Sequence, residues 1–291
     1  MDTGCLLKRC EMKRFFFFFL LLVILTVPAI ASSFSSSFTA EDVWENAQKV
    51  VKVFNNEPYG SYDILENDKK VGVVARKEVQ LTIAYRGARG SREVFDCQNY
   101  GSGPIHAGYF TAYDKFNDSL TDLVLKCLGQ PETNLNDVTY HIIGHSRGTG
   151  FVPQTVESLL NLDIPPQNIR AVCFTPLKVY SLQKAQEYNQ KFGDRFHLNF
   201  KAEEDTVEEM AMAGVNFLKQ TPNNTIYSTV GRTFTYKATD YQEFNQWVYK
   251  NPYIHLDPSA QYLKLFLSPL NWGAHMPEAY LLTAPNAWKS Q

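Results

Sequence analysis

The chain has 291 residues, with 28 basic and 30 acidic side chains, a net charge of −2 and 44% hydrophobic residues. That is enough for one large α/β domain with a sizeable core. A slightly acidic chain without a basic block excludes the electrostatics of nucleic-acid binding. With scattered histidines and no Cys-x-x-Cys, neither a metal nor a cofactor is expected.

The first predicted element is a targeting segment. Lys8, Arg9, Lys13 and Arg14 form a basic start, Phe15 to Val27 is continuously apolar, and Ala29-Ile30-Ala31 has the small-x-small form of a cleavage site. Residues 1–31 therefore read as a secretory signal peptide and 32–291 as the mature chain, secreted or held in a secretory compartment. The alternative, a retained membrane anchor, needs roughly 20 apolar residues, more than this run provides. Once the signal is removed, Cys97, Cys127 and Cys173 remain. Cys173 falls in an apolar strand, which leaves Cys97 and Cys127 as the pair available for a disulfide. Asn117-Asp118-Ser119 and Asn223-Asn224-Thr225 are glycosylation sequons.

Thr39-Ala40-Glu41-Asp42 caps an amphipathic helix that carries Val43, Ala47, Val50 and Phe54 on one face. Strand-like runs follow at Val71–Val74 and Val79–Tyr85. A long helical pattern runs from about Tyr109 to Leu128. Next come a strand over Val138–Ile143, a helix containing Val152, Val156 and Leu159, a strand over Ile169–Phe174, a helix over Leu182–Phe192 and a strand over Phe196–Lys201. This alternation predicts a mostly parallel sheet covered by helices on both faces. Alternating residues from Thr225 to Lys237 around Gly231-Arg232 predict a C-terminal hairpin. The aromatic run from Tyr241 to Tyr262 reads as core beneath that hairpin rather than as a pocket.

Gly144-His145-Ser146-Arg147-Gly148 lies between a strand and a helix, the context in which Gly-x-Ser-x-Gly forms a nucleophile elbow. A serine hydroxyl needs a histidine base, and the base needs a carboxylate to fix its tautomer. On such a scaffold the chain order is Ser, acid, His. Glu203, Glu204 and Asp205 follow the strand at Phe196–Lys201. Asp205 is preferred because Asp205-Thr206-Val207 turns back toward apolar packing. Downstream, His255 sits among prolines and aromatics and reads as structural. His275 lies in a glycine-containing loop before a short terminal helix and reads as the base. His141 and His197 alternate with apolar residues and read as sheet residues.

Four segments carry a resemblance over roughly residues 70–285. Ile83-Ala84-Tyr85-Arg86-Gly87 resembles an apolar strand ending in Phe-Arg-Gly, and Ile105-His106-Ala107-Gly108-Tyr109 resembles Val-His-x-Gly-Phe. The elbow and Asp205-x-Val207 complete the set, and His275 with Glu278 and Tyr280-Leu281 is similar to the ending seen in plant members. Together they resemble the class 3 lipase family, the fungal-lipase-like branch of the α/β-hydrolases. The resemblance implies an α/β-hydrolase fold and a Ser146–Asp205–His275 triad. It also implies an oxyanion hole built from the backbone N–H groups of Arg147 and Ala88.

The chain departs from the pattern at several positions. Ala88 lacks the Ser or Thr hydroxyl usual there, Arg147 replaces the common Leu, Glu208 replaces a proline, and Phe174-Thr175-Pro176-Leu177-Lys178 follows Phe-Gly-x-Pro-Arg only loosely. The segment in the position of the family's lid, Arg89 to Pro104, is short and polar. The expected activity is carboxylester hydrolysis through an acyl-enzyme, with transient contact to a lipid surface. Phospholipids, monoacylglycerols or soluble esters are preferred over bulk triacylglycerol. The competing expectations are an acyltransferase on the same scaffold and an inactive descendant that binds lipid or protein.

Overall fold

The computed structural model describes residues 38–90, 93–94, 97, 99, 101–129, 134–207, 227–256, 258, 261, 264 and 267–290. The signal-peptide expectation (1–31), Glu208 and the Asn223 sequon lie outside them. Helix α1 (Ala40–Phe54) begins with a capping box. The Asp42 N–H donates to Thr39 Oγ1 at 3.1 Å, and the Thr39 N–H donates to Asp42 Oδ2 at 2.7 Å. Val43, Ala47, Val50 and Phe54 bury the inner face of the helix.

Strands β1 (Tyr62–Glu66), β2 (Lys69–Lys77) and β3 (Gln80–Tyr85) form an antiparallel meander. Helix α2 (Ala107–Leu128), ended by Gly129 at φ +73°, carries the chain over to β4 (Thr139–His145). Helix α3 (Val152–Leu160) connects β4 to β5 (Ile169–Phe174). The short β6 (Tyr180–Ser181) and α4 (Leu182–Tyr188) precede β7 (His197–Ala202). The seven-stranded sheet has the order β1-β2-β3-β4-β5-β7-β9, parallel from β3 onward, where β9 is Arg232–Tyr236.

Alternation along the central strands sends residues to two layers. Leu81, Ile83 and Tyr85 of β3 join Tyr140 and Ile142 of β4 in a core with α2 and α3. Thr82 and Ala84 point the other way, toward α1, which also packs on the terminal helix α7 (Pro277–Lys289). Register aligns the carboxyl ends of the strands, with Gly144 opposite Tyr85 on one side and Cys173 on the other. The loops leaving β3, β4, β5 and β7 therefore emerge at one edge, where sites form in open parallel sheets. Among the described residues no helix is long and apolar enough to cross a membrane.

Two expectations need correction, and the cysteine pairing that the sequence left open has an answer. The predicted hairpin does not form: Tyr227–Ser228 (β8) pairs antiparallel with β6, and β9 runs parallel to β7 as the sheet's edge strand. Gly231, at φ +81°, presses so close to β7 that a Cβ there would lie 2.7 Å from the His197 carbonyl oxygen. Asn199 Nδ2 also donates to the Val230 carbonyl at 2.7 Å, so the chain is captured by β7 before it can fold back on β8. His275 does not lie in a loop; it ends helix α6 (Pro269–His275), which is capped by Ser268. Gly273 sits inside α6 because a Cβ there would lie 2.6 Å from Val248 of helix α5 (Gln242–Lys250). Finally, no disulfide joins Cys97 and Cys127. Cys127 is buried in α2, and the Cys97 thiol donates to the Glu93 carbonyl at 3.3 Å.

Within the aromatic run, Phe244 and Val248 are buried whereas Tyr249 is exposed. The Asn117 sequon lies within α2 with its side chain half-buried, and Ser158 donates to its Oδ1 at 3.5 Å.

Candidate active site

Ser146 follows β4 directly and holds φ at +49°, a left-handed conformation that is strained for a non-glycine residue. The strain persists because the turn is clamped on both sides. A Cβ on Gly144 would lie 2.8 Å from Val152, and one on Gly148 would lie 2.7 Å from the Arg86 carbonyl oxygen. The Thr149 hydroxyl ties the turn by donating to the Ser146 carbonyl at 2.7 Å, and it accepts the Leu177 N–H at 3.1 Å. This bracing leaves the Ser146 side chain partly accessible while its neighbours on both sides are buried.

Ser146 Oγ lies 2.8 Å from His275 Nε2. On the other side of the ring, His275 Nδ1 is 3.0 Å from Asp205 Oδ1 and 3.2 Å from Oδ2. With Nδ1–H donating to the carboxylate, Nε2 is left as the acceptor for the serine hydroxyl. Asp205 is 1% exposed and His275 5%. Burial alone would raise the Asp205 pKa. The neighbouring His275 and the hydrogen bonds from His275, Thr175 and the Val207 N–H outweigh it and hold the carboxyl below its usual range. Tyr280 adds a donor to Asp205 Oδ2 at 3.1 Å and is itself oriented by the Thr175 hydroxyl at 3.0 Å.

The structure therefore brings Ser146, Asp205 and His275 together from β4, the loop after β7 and the end of α6. The other carboxylates of the acid loop face elsewhere. Glu204 accepts the backbone N–H groups of Ala238 and Thr239 at 2.9 and 3.1 Å, and Glu203 is half-exposed, 4.0 Å from Lys237. His255 bonds Glu278 at 3.0 Å, away from the serine. His197 is a buried sheet residue held by Tyr188 and Cys173 at 3.0 and 3.2 Å.

Around the oxyanion positions, the end of β3 passes against the elbow: a Cβ on Gly87 would lie 3.1 Å from Ser146 Cβ. Ala88 follows directly. The Arg147 side chain turns inward, 1% exposed, with Nη2 2.7 Å from Glu66 Oε2 and the guanidinium 5.0 Å from the Phe151 ring centroid. Lys115 approaches the same carboxylate at 3.3 Å. In the segment Arg89–Pro104, Glu93 binds Arg86 through both oxygens at 2.8 and 2.9 Å; residues 91–92, 95–96, 98 and 100 of that segment lie outside the described residues.

Sequence reasoning missed two supports. His145 is buried, and its Nε2–H donates to the His275 carbonyl at 2.7 Å. Burial, with His275 adding to it, lowers the His145 pKa to about 3, so the ring is neutral at physiological pH. Its place inside the elbow was visible, but its partner 130 residues away was not. Glu66 was missed because the signal for it, an arginine at a position normally apolar, names no partner.

No protein-family model matches the sequence, and no curated protein matches it. Solved structures do. A deletion mutant of the Rhizomucor miehei lipase propeptide complex is similar over 69% of this chain and 68% of its own, at TM-score 0.53 and 13% identity. The native form of that complex is similar over 66% of each chain, at TM-score 0.50 and 14% identity. The chain spans 64% of the length of a Rhizomucor miehei triacylglyceride lipase, covering 60% of itself, at TM-score 0.46 and 17% identity. The likeness is one of fold: a mostly parallel sheet with helices, shared with these fungal lipase structures.

Proposed function

We propose that this protein is a serine carboxylester hydrolase acting through an acyl-enzyme. The observation that carries the reading is the continuous relay from Ser146 Oγ through His275 to Asp205, at 2.8 and 3.0 Å, on a strained elbow. His275 Nε2 takes the serine proton as Oγ attacks the ester carbonyl. Asp205 holds the Nδ1–H tautomer and stabilises the imidazolium. The developing oxyanion accepts hydrogen bonds from the N–H groups of Arg147 and Ala88, each contributing about 3–4 kcal/mol to lowering the barrier. When the tetrahedral intermediate collapses, the imidazolium protonates the departing alcohol. A water deprotonated by the same nitrogen then releases the acid and restores Ser146.

The substrates are acyl esters, lipids among them. The polar segment Arg89–Pro104 favours phospholipids, monoacylglycerols or soluble esters over emulsified triacylglycerol. Residues 1–31 direct the chain into the secretory route, so sequencing the amino terminus of protein recovered from the medium should give Ser32. The enzymatic test is hydrolysis of p-nitrophenyl butyrate, octanoate and palmitate by residues 32–291. Activity should fall by at least a thousandfold in Ser146→Ala and His275→Ala and by a comparable factor in Asp205→Ala. Equal rates on emulsified long-chain triacylglycerol and soluble short esters would remove the substrate preference. A folded wild type inactive on every ester would remove the hydrolase reading.

A further inference from the structure

Among the described residues, the elbow and the end of β3 carry Arg86, Arg89 and Arg147, and two of these are neutralised. Arg86, 4% exposed, is gripped through both oxygens of Glu93, and the Arg147 guanidinium is buried against Glu66. Arg89 differs. It stands one residue beyond the Ala88 amide and is exposed, and its guanidinium has neither an ion pair nor a hydrogen bond among the described residues. Instead the guanidinium lies over the Phe54 ring, 5.3 Å from the centroid.

Both ends of this arrangement are anchored. The Arg89 N–H donates to Glu93 Oε2 at 2.7 Å, onto the carboxylate that Arg86 already holds. Phe54 is buried at the end of α1, edge-on to the rings of His145 at 5.9 Å and His255 at 5.2 Å. His145 in turn holds the His275 carbonyl. A guanidinium held over an aromatic face makes no hydrogen bond to the ring, so its N–H donors stay free to take a phosphate or carboxylate. The contact with the Phe54 ring restrains the side chain, so less rotamer freedom is lost when an anion arrives. Glu93, the acidic group that reaches Arg89, holds the Arg86 guanidinium through both oxygens and acts on the Arg89 guanidinium only at longer range.

We propose that Arg89 is an anion subsite, and that the preferred substrates are esters carrying a phosphate or carboxylate close to the scissile acyl bond. The inference rests on the hydrolase reading and narrows its substrate class. The test compares matched soluble pairs below their micellar concentrations: monooctanoylglycerol phosphate against monooctanoylglycerol, and octanoyl glycolate against octanoyl glycolamide. In wild type, kcat/KM should favour the anionic member of at least one pair by roughly tenfold, the scale of one partly screened charge-assisted contact. Which pair shows the preference identifies phosphate or carboxylate. Added NaCl should compress the ratio. Arg89→Gln should bring it to about one, and Arg89→Lys should retain part of it. Hydrolysis of the neutral esters with no anionic preference, or an unchanged ratio in Arg89→Gln, would overturn the subsite and leave the hydrolase standing. A folded protein that turns over none of the four esters and resists a serine-directed phosphonate removes both readings.

Discussion

A serine hydroxyl near neutral pH becomes a nucleophile only when a neutral imidazole nitrogen is held where it can take the proton, and here several side chains hold one imidazole. Tyr280 braces the far end by donating to Asp205. Tyr280→Phe leaves that oxygen one donor short, so stability should fall by about 1–3 kcal/mol in urea unfolding. The kcat for p-nitrophenyl butyrate should fall roughly tenfold with little change in KM, the pattern of a group that positions the acid without meeting substrate. Glu66 makes a different contribution, because it accepts a hydrogen bond from the Arg147 guanidinium, a charge buried beneath the elbow. Glu66→Gln should cost about 3–5 kcal/mol, whereas Glu66→Leu with Arg147→Leu should recover most of it, since an apolar pair of similar volume avoids the desolvation of both ions. Denaturant melts of the three proteins check this. At this scale the elbow was readable because its two glycines and its flanking pattern are local. Glu66, His145 and Thr175 act through partners far along the chain, and no spacing rule connects them.

Elements converge on the site because their ends are in register. β4 delivers Ser146 at its carboxyl end, the loop after β7 delivers Asp205, and α6 brings His275 back across that edge. Close approach between the elbow and the end of β3 leaves no room for side-chain carbon at Gly148, where a Cβ would sit 2.7 Å from Arg86 O and 2.8 Å from Tyr85 Cβ. Gly148→Ala should therefore cost about 1–3 kcal/mol through overpacking. It should also lower esterase activity more than proportionately, because the shift falls on the strand end that carries Ala88; thermal melts alongside initial rates separate the two effects. The pattern of apolar residues located most of these elements. It failed where a partner had to be chosen: period-2 alternation over 232–236 announces a strand without saying that β7, and not β8, will pair with it. It failed again at Gly273, read as a loop marker when close helix packing was the reason for the glycine.

For the whole molecule, a parallel sheet wound in sequence order places the acid and the base after the nucleophile along the chain. That is why Asp205 and His275 are legible in the sequence downstream of Ser146. Burying so many imidazoles gives the fold a pH signature. His145 and His197 are lowered to about 3 and His106 and His141 to about 4, each chiefly by burial, against about 6.5 in an unfolded chain. Below pH 6.5 the unfolded chain therefore binds protons that the fold cannot accept. Stability should be nearly flat above pH 7 and fall by about 5 kcal/mol between pH 7 and pH 5.5. Asp205, whose pKa is lowered, contributes stability that is fully present above about pH 4 and is lost only as pH falls through its folded value. Urea titrations across this range would show the slope. The most direct test of the central claim is stoichiometric reaction with an alkyl phosphonate ester, followed by peptide mass spectrometry. The account predicts one adduct per chain, on Ser146, formed at least a thousandfold more slowly in His275→Ala. A folded wild-type protein left unlabelled, or labelled elsewhere while Ser146 stays free, would contradict it.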